Sequence, residues 1–396
     1  MTILRVVVPA DIRFPLQRAN GVQVVKTAAA LTRAGVRTTL IVRKTDPRPT
    51  EAILALYGVR PSEDLVVRRL RVLHRTGSFL LPRVCFLVRA AVLAWNGARR
   101  GAAVYTRDLQ LAALLLRMRV RGVVYEAHAV ESMMYAERGR LYGTDEIPSA
   151  RKIARLAARE GYVWTRAAAF VSTTAGIRAT FADRHGERDR SLVIPNGCDA
   201  SDTGAFPGLA RERPARVLYA GQLYLWKGVD VLVEAMREVP DARLVIAGGF
   251  DAEADLGRLR GRLAGCGMSE RTELLGTLPQ ARVAEELQRA AVVVVPVLRT
   301  AMTERHTSPI KAFEGMAAGR PLVVSDLPSS REFLRDGENA LLVPPGDTEA
   351  LARAIRRLLA DPGLAERLAR VAHSEAPRYS WDARARGLRR IFEDIS

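Results

Sequence analysis

Residues 306–326 read HTSPIKAFEGMAAGRPLVVSD, and the fold is decided on this stretch. Ser308 suits a helix N-cap, and Pro309 then falls at the first helical position, where its missing N–H costs nothing. A helix continuing through 311–316 is stopped by Gly319-Arg320-Pro321. Residues 322–324 follow as a short buried strand ending at Ser325-Asp326. The first-turn N–H groups of such a helix have no partners within it, and the helix dipole adds partial positive charge, so this end can bind a phosphate. Glu314, further along, is a carboxylate acceptor suited to a pair of sugar hydroxyls. One element could thus hold a nucleotide by its diphosphate and its ribose; the plainer reading is a capped helix with a solvated Glu.

Working outward, the same strand–helix alternation recurs along the chain. In the first half, strands are expected at 3–8, 37–42, 65–72, 103–106, 123–126, 168–172 and 192–194, with helices at 22–33, 83–95, 109–117, 149–165 and 175–183. The turn Ile194-Pro195-Asn196-Gly197 closes that series, and the Gly/Pro/Arg-rich segment 202–214 reads as a linker. A second series has strands at 216–220, 242–247, 273–275, 292–295, 322–324 and 340–343, with helices at 229–239, 253–263, 282–289 and 348–359. The fold class is therefore α/β, with two Rossmann-like parallel-sheet domains, 1–198 and 199–377. An amphipathic terminal helix over about 378–396 is expected to pack back on the first. Ligands of open α/β sheets sit outside the carboxyl ends of the strands, which places the site in a cleft.

The 396 residues are 48% apolar and 26% charged, an ordinary soluble composition. Cys85, Cys198 and Cys266 are scattered, without metal or disulfide spacing, which suits a reducing cytoplasm. The first residues lack a signal-peptide profile, and the most apolar segment, 79–95, is broken by Pro82, Arg83 and Arg89. The net charge of +18 is unevenly spread: residues 1–199 hold 33 Lys and Arg against 16 Asp and Glu, residues 200–396 hold 28 against 27. Within the first half, 60–121 carries 13 basic and 3 acidic residues among Leu, Val, Phe and Trp. Such a surface attracts anionic lipid, nucleic acid or acidic substrates. No recognisable nucleic-acid motif accompanies it, so nucleic acid is not an expected partner.

Standard phosphate and metal motifs are missing. There is no G-x-G-x-x-G, no G-x-x-x-x-G-K-[ST], no H-E-x-x-H, no Cys/His cluster and no Asp-x-Asp. No metal and no separate cofactor is expected, so helix ends and basic side chains would neutralise a leaving diphosphate. Three further stretches fall at strand ends. Gly21, in a loop between the first strand and helix, would let backbone approach a ligand, or is a plain turn glycine. His128 could contact a sugar or move a proton, or is a structural histidine. Lys227, in GQLYLWKG (221–228), could meet a phosphate, or is solvated.

These residues together resemble the family 4 retaining glycosyltransferases, which have the two-domain GT-B fold. The string SPIKAFEGMAAGRPLVVSD is similar to that family's nucleotide-sugar signature. YAGQLYLWKGVDVLVEAM, VIPNGCD, VIAGG and LLGTLPQARVAEEL match its second domain in order, and ANGVQVVKTAAALTRAG, YTRDLQLA and YEAH fit the first. The resemblance covers nearly the whole chain, loosely over 45–100. It implies that Glu314 binds the ribose hydroxyls, that backbone at Thr307, Ser308, Pro309 and Ile310 meets diphosphate and sugar, and that Lys227 binds the diphosphate. It further implies that Gly21 faces the phosphates, that His128 lies near the donor sugar, and that backbone at Leu278 holds the base. Two positions depart from the pattern: His306 replaces the first Glu of a Glu-x7-Glu pair, and Gln222 replaces an Arg that assists the Lys.

What the resemblance implies is a retaining, metal-independent hexosyltransferase. A UDP-sugar is the expected donor, with a GDP-sugar as the alternative. The acceptor hydroxyl belongs to a lipid-linked or cell-envelope glycan or to a small metabolite. The expected location is the cytoplasm, peripheral on the inner face of an anionic membrane. The rival readings are a nucleotide-sugar epimerase or phosphorylase on the same fold, and a nucleic-acid-binding protein.

Overall fold

The computed structural model describes residues 4–15, 18–72, 80–200, 204–210, 212–249 and 254–395. Its apolar runs become two all-parallel sheets. The first contains β1 (Arg5–Phe14), β2 (Arg37–Lys44), β3 (Leu65–Leu70), β4 (Ala103–Thr106), β5 (Val123–Ala127), β6 (Ala169–Ser172) and β7 (Ser191–Val193), in the order β3-β2-β1-β4-β5-β6-β7. The second contains β8 (Ala215–Ala220), β9 (Ala242–Ala247), β10 (Thr272–Gly276), β11 (Val292–Val295), β12 (Leu322–Ser325) and β13 (Leu341–Val343), ordered β10-β9-β8-β11-β12-β13. Each order reverses direction once, between β1 and β4 and between β8 and β11. Such a reversal leaves a crevice at the carboxyl ends of the strands.

The period-2 geometry of a strand explains why these runs are apolar throughout. In the second sheet Val217, Tyr219, Leu244, Ile246, Val292 and Val294 join one core. Their alternates Leu218, Ala220, Val245, Ala247, Val293 and Val295 join the other. Both faces are covered by helices, so no polar face is required.

The described residues form two compact units. One comprises the chain up to Tyr135, Ser149–Pro195 and the segment from Trp381; the other comprises Ala136–Pro148 and Asn196–Ser380. This partition differs from a cut at 198/199. Segment 136–148 belongs with the second unit, where the Glu137 carboxylate accepts the Ala301 and Met302 N–H groups at 3.0 and 2.9 Å. The chain returns at Asn196, and the Cys198 N–H donates to the Tyr379 carbonyl at 2.9 Å. In the first unit the final helix, Trp381–Ile395, packs on Ala19–Arg33; Arg33 Nη2 lies 2.5 Å from Asp382 Oδ1.

Several local expectations need correction. The terminal helix does not run unbroken from 378: Arg378 lies in a 3-10 turn, Ala376–Tyr379, and extended Ser380 precedes the helix proper. Short helices at Thr50–Leu56, Glu131–Ala136, Arg138–Tyr142 and Ala301–His306 carry too few turns to show a periodic apolar face. Pro362–Glu375 is a full helix that the sequence reading passed over; it is capped by Asp361, which accepts the Leu364 N–H at 2.9 Å. Phe79 and Glu253, and residues 202, 203 and 211 of the expected linker, lie outside the described residues.

Candidate functional site

In the second unit, glycines without room for a Cβ set the strand ends. A Cβ on Gly248 would stand 1.7 Å from the Gly221 carbonyl oxygen, so the turns leaving β8 and β9 interlock. A Cβ on Gly228 (φ +72°) would stand 1.8 Å from the Pro296 carbonyl oxygen. Here the 3-10 turn Leu225–Lys227 lies against the connection that follows β11, and the Leu298 N–H donates to the Trp226 carbonyl at 2.9 Å. Lys227 is thereby placed at the reversal of strand order. Its Nζ lies 3.9 Å from the Trp226 ring centroid, and no carboxylate among the described residues pairs with it. Burial alone pulls its pKa down to about 8. Next to it, Gln222 accepts the Tyr219 hydroxyl on its backbone carbonyl at 2.5 Å. Gln222 Oε1 and Trp226 Nε1 are buried with no hydrogen-bond partner among the described residues.

The connection from β11 to β12 holds two helices, treated differently at their N-termini. Ala301–His306 is closed by a Thr300/Thr303 capping box and by Glu137. Ile310–Ala317 has no side-chain cap. Ser308 is not its N-cap: Pro309 takes that position, because the Ser308 hydroxyl accepts the Asn196 N–H at 3.0 Å and the Ser308 carbonyl accepts Asn196 Nδ2 at 2.8 Å. Thr307, at the C-cap of the preceding helix, donates its hydroxyl to the Thr303 carbonyl at 3.1 Å. The Ile310 and Lys311 N–H groups are therefore left to a ligand or solvent, while the Ala312 N–H already donates to the Pro309 carbonyl at 3.1 Å.

Glu314 Oε2 lies 2.5 Å from Lys311 Nζ, and Glu314 borders an open groove with Asp199, Gln280 and Gln288. Leu278 is half-buried in the loop between β10 and the Gln280–Arg289 helix. Lys227 and Leu278 thus follow the carboxyl ends of β8 and β10, and 307–310 lie in the connection that follows β11, beyond the Ala301–His306 helix. His306, 5% exposed, ends the Ala301–His306 helix.

In the first unit, Gly21 lies in the first turn of Ala19–Arg33 and not in a loop. Two residues on, Gln23 donates to both Glu126 carboxylate oxygens at 3.3 Å and accepts Arg107 Nη1 at 2.9 Å. Glu126, at the end of β5, is 1% exposed. Arg384 pairs with it and also donates to the Ile194 and Pro195 carbonyls at 2.8 Å and to the Tyr105 hydroxyl at 2.9 Å. His128 Nε2 stands 2.9 Å from Glu126 Oε1. Burial pushes the Glu126 carboxyl up, but Arg384 and His128 outweigh it and leave a pKa of about 2. Burial, reinforced by Arg107 and opposed by Glu126, lowers His128 to about 4, so its imidazole is neutral near pH 7. Arg107 falls to about 10 through burial, and Glu131 rises to about 7 through burial beside Asp108 and Glu160.

Gly21 and His128 are thus joined through Gln23 and Glu126 in the first unit. Gln222, Lys227, Leu278, Thr307, Ser308, Pro309, Ile310 and Glu314 all lie in the second. The sequence reading missed Asn196, which it took only as a turn residue, and Gln23, Arg107, Glu126 and Arg384. For Arg384 no local cue exists, because its partners are far away in the sequence.

Two family models match. "Glycosyl transferase 4-like domain" covers residues 20–197, and "Glycosyl transferases group 1" covers residues 214–361. A phosphatidyl-myo-inositol mannosyltransferase of Mycobacterium leprae is 33% identical over 213 residues, 52% of this chain and 54% of that protein. The chain spans about half the length of the curated relatives it matches. Among solved structures, a sucrose-phosphate synthase from Thermosynechococcus elongatus superposes with a TM-score of 0.75 at 20% identity, over 99% of each chain. Anabaena HepE in complex with UDP-glucose does so with 0.73 at 15%, over 99% of this chain and 100% of that one. With both halves matched in order and two parallel-sheet units present, the chain belongs to the group 1 glycosyl transferases and has their GT-B fold.

Proposed function

We propose that this protein moves a hexose, with retention, from a nucleoside diphosphate sugar to an acceptor hydroxyl. A UDP-sugar is the first choice of donor and a GDP-sugar the second. The observation that carries the reading is Lys227: a desolvated ammonium without a carboxylate partner among the described residues, in the same strand-end region as an uncapped helix. A buried cation lacking a counter-charge favours an incoming anion, and a departing diphosphate carries the charge it can stabilise.

In this reading Lys227 and the Ile310 and Lys311 N–H groups take up the developing charge. Glu314 accepts two ribose hydroxyls, backbone at Leu278 holds the base, and Gly21 faces the phosphates. Gln222 supplies a polar contact where a second cation would otherwise stand. His128, neutral near pH 7, bonds to the donor sugar without acting as an acid. The glycosidic bond to the diphosphate breaks, the acceptor oxygen bonds to the anomeric carbon from the same face, and its proton passes to the leaving phosphate oxygen. No metal is assigned: among the described residues no three His, Cys, Asp or Glu side chains stand where they could hold one. The acceptor class is a lipid-linked or envelope glycan or a small metabolite, in the cytoplasm or at its membrane face. No helix among the described residues is long and apolar enough to cross a membrane.

A thermal-shift comparison of UDP, GDP and their sugar conjugates tests the donor, since a ligand bound only by the folded state raises its stability. One nucleoside diphosphate is expected to raise the melting temperature, and Glu314→Ala to remove most of that rise. Incubation of the donor without acceptor should leave it intact or slowly hydrolysed; its isomerisation would point to an epimerase instead.

A further inference from the structure

We propose that the outward face of the Leu80–Ala98 helix docks on the surface of an anionic lipid bilayer. Ten large apolar side chains are exposed among the described residues, and six belong to this helix: Leu81, Val84, Val88, Val92, Leu93 and Trp95. Val84 and Val88 are 52% and 54% exposed. Steps of three and four residues from 81 through 84, 88 and 92 to 95 put five of the six on one stripe. The opposite face is equally apolar but already used: Phe86, Leu87, Ala90, Ala91 and Ala94 are buried against the core that includes Val7 and Val104. A helix apolar on both faces is normally buried on both, and a continuous exposed stripe marks a surface that a partner covers.

The charge around the stripe selects the partner. The helix and the two residues after it carry Arg83, Arg89, Arg99 and Arg100 and no acidic residue, and Arg89, Arg99 and Arg100 are exposed. Arg99 continues the stripe past Trp95, with its guanidinium 4.9 Å from the indole centroid, and Arg100 follows. A second copy of this chain would set that Arg-rich rim against itself. Anionic headgroups neutralise it while the valines enter the acyl boundary and the indole sits at headgroup level. At 1.5 Å per residue the helix is about 28 Å long, enough for a bar lying in the interface.

The proposal goes beyond sugar transfer and is tested without turnover. The full chain is sedimented with vesicles of phosphatidylcholine plus phosphatidylglycerol and with phosphatidylcholine alone. The expected result is binding to the anionic vesicles only, weakened by added salt. Val88→Ser with Val92→Ser should lower the partition roughly tenfold or more. Arg99→Glu with Arg100→Glu should remove the preference for anionic lipid, each variant melting as the parent does. The proposal is overturned by a parent protein that ignores anionic vesicles, or by an unchanged partition in the serine variant. It is equally overturned by a concentration-dependent dimer that the serine variant dissolves, which would assign the face to a second copy.

Discussion

In the first unit Glu126, buried at the end of β5, is met by Arg384, His128 and Gln23, while in the second unit Lys227, desolvated beyond β8, has an indole face and no carboxylate among the described residues. Both groups lose water. Glu126 recovers the loss from groups the fold itself supplies, and its pKa ends near 2, well below its ordinary range. Lys227 recovers nothing internally, and its pKa ends near 8, below its ordinary range. A charge compensated within the fold is a fastening, here of the last helix to β5. A charge left uncompensated is a binding capacity waiting for a ligand.

Breaking the fastening should have the largest effect. Arg384→Met leaves Glu126 a buried carboxylate with only the neutral partners Gln23 and His128, and is expected to cost about 3–5 kcal/mol of stability, read by denaturant unfolding. Adding Glu126→Gln should recover part of that loss. The pH dependence carries the sharper sign. In the parent the folded pKa of Glu126, about 2, lies below its ordinary 4.5, so its contribution is full above pH 4.5 and lost as pH falls toward 2. In Arg384→Met, removing that counter-charge leaves burial as the larger influence and raises the folded pKa, so mild acidification should stabilise the variant relative to neutral pH. An Arg384→Met protein as stable as the parent would remove the contrast between the units.

Lys227 should show the reverse pattern, with activity lost and stability spared. Lys227→Ala is expected to lower transfer by up to several hundred-fold, about 2–4 kcal/mol of transition-state stabilisation. It removes an unpaired buried cation, so the fold should not suffer. In the parent, the unfolded chain holds the Lys227 proton up to its ordinary 10.5 and the folded chain only to about 8. Stability should therefore rise with pH between those values. Donor kcat/KM, which reports the free enzyme, should fall roughly tenfold per pH unit above about 8. kcat should hold to higher pH, because a bound diphosphate favours the charged lysine. A kcat/KM that stayed flat through pH 8 to 10 would show that Lys227 does not meet the diphosphate.

The second unit was the more legible from sequence, for physical reasons. Its site rests on three short strings: GQLYLWKG and TLPQ directly follow β8 and β10, HTSPIKAFEG lies in the connection from β11 to β12, and apolar runs announce those strands. The parallel sheets were readable because residues such as Val217 and Leu218 face two buried cores, which demands unbroken apolar runs. Arg384 was not readable, since its partners Thr27, Tyr105, Glu126 and Ile194 lie 190 or more residues away. The cap of the Ile310–Ala317 helix misled for a related reason. Ser308 has the right side chain in the right place, but Asn196, 112 residues earlier, engages its hydroxyl.

That same bond gives the smallest and most discriminating prediction. Asn196 grips Ser308 twice: its backbone N–H donates to the hydroxyl, and its side-chain amide donates to the carbonyl. Asn196→Ala removes only the second bond and should cost about 1 kcal/mol of stability. With Ser308 held by one bond instead of two, its hydroxyl can more readily leave the Asn196 N–H, turn and cap the helix, competing with an incoming phosphate for the same N–H groups. The donor KM should then rise several-fold with kcat little changed, unlike Lys227→Ala, which strikes kcat. Ser308→Ala in the same background removes the competing cap, so it should restore part of the lost affinity if the Ile310 and Lys311 N–H groups are what the diphosphate meets. If the double variant is worse than Asn196→Ala alone, the Ser308 hydroxyl itself contacts the donor, and the helix end holds the anion through a side chain as well as through its backbone.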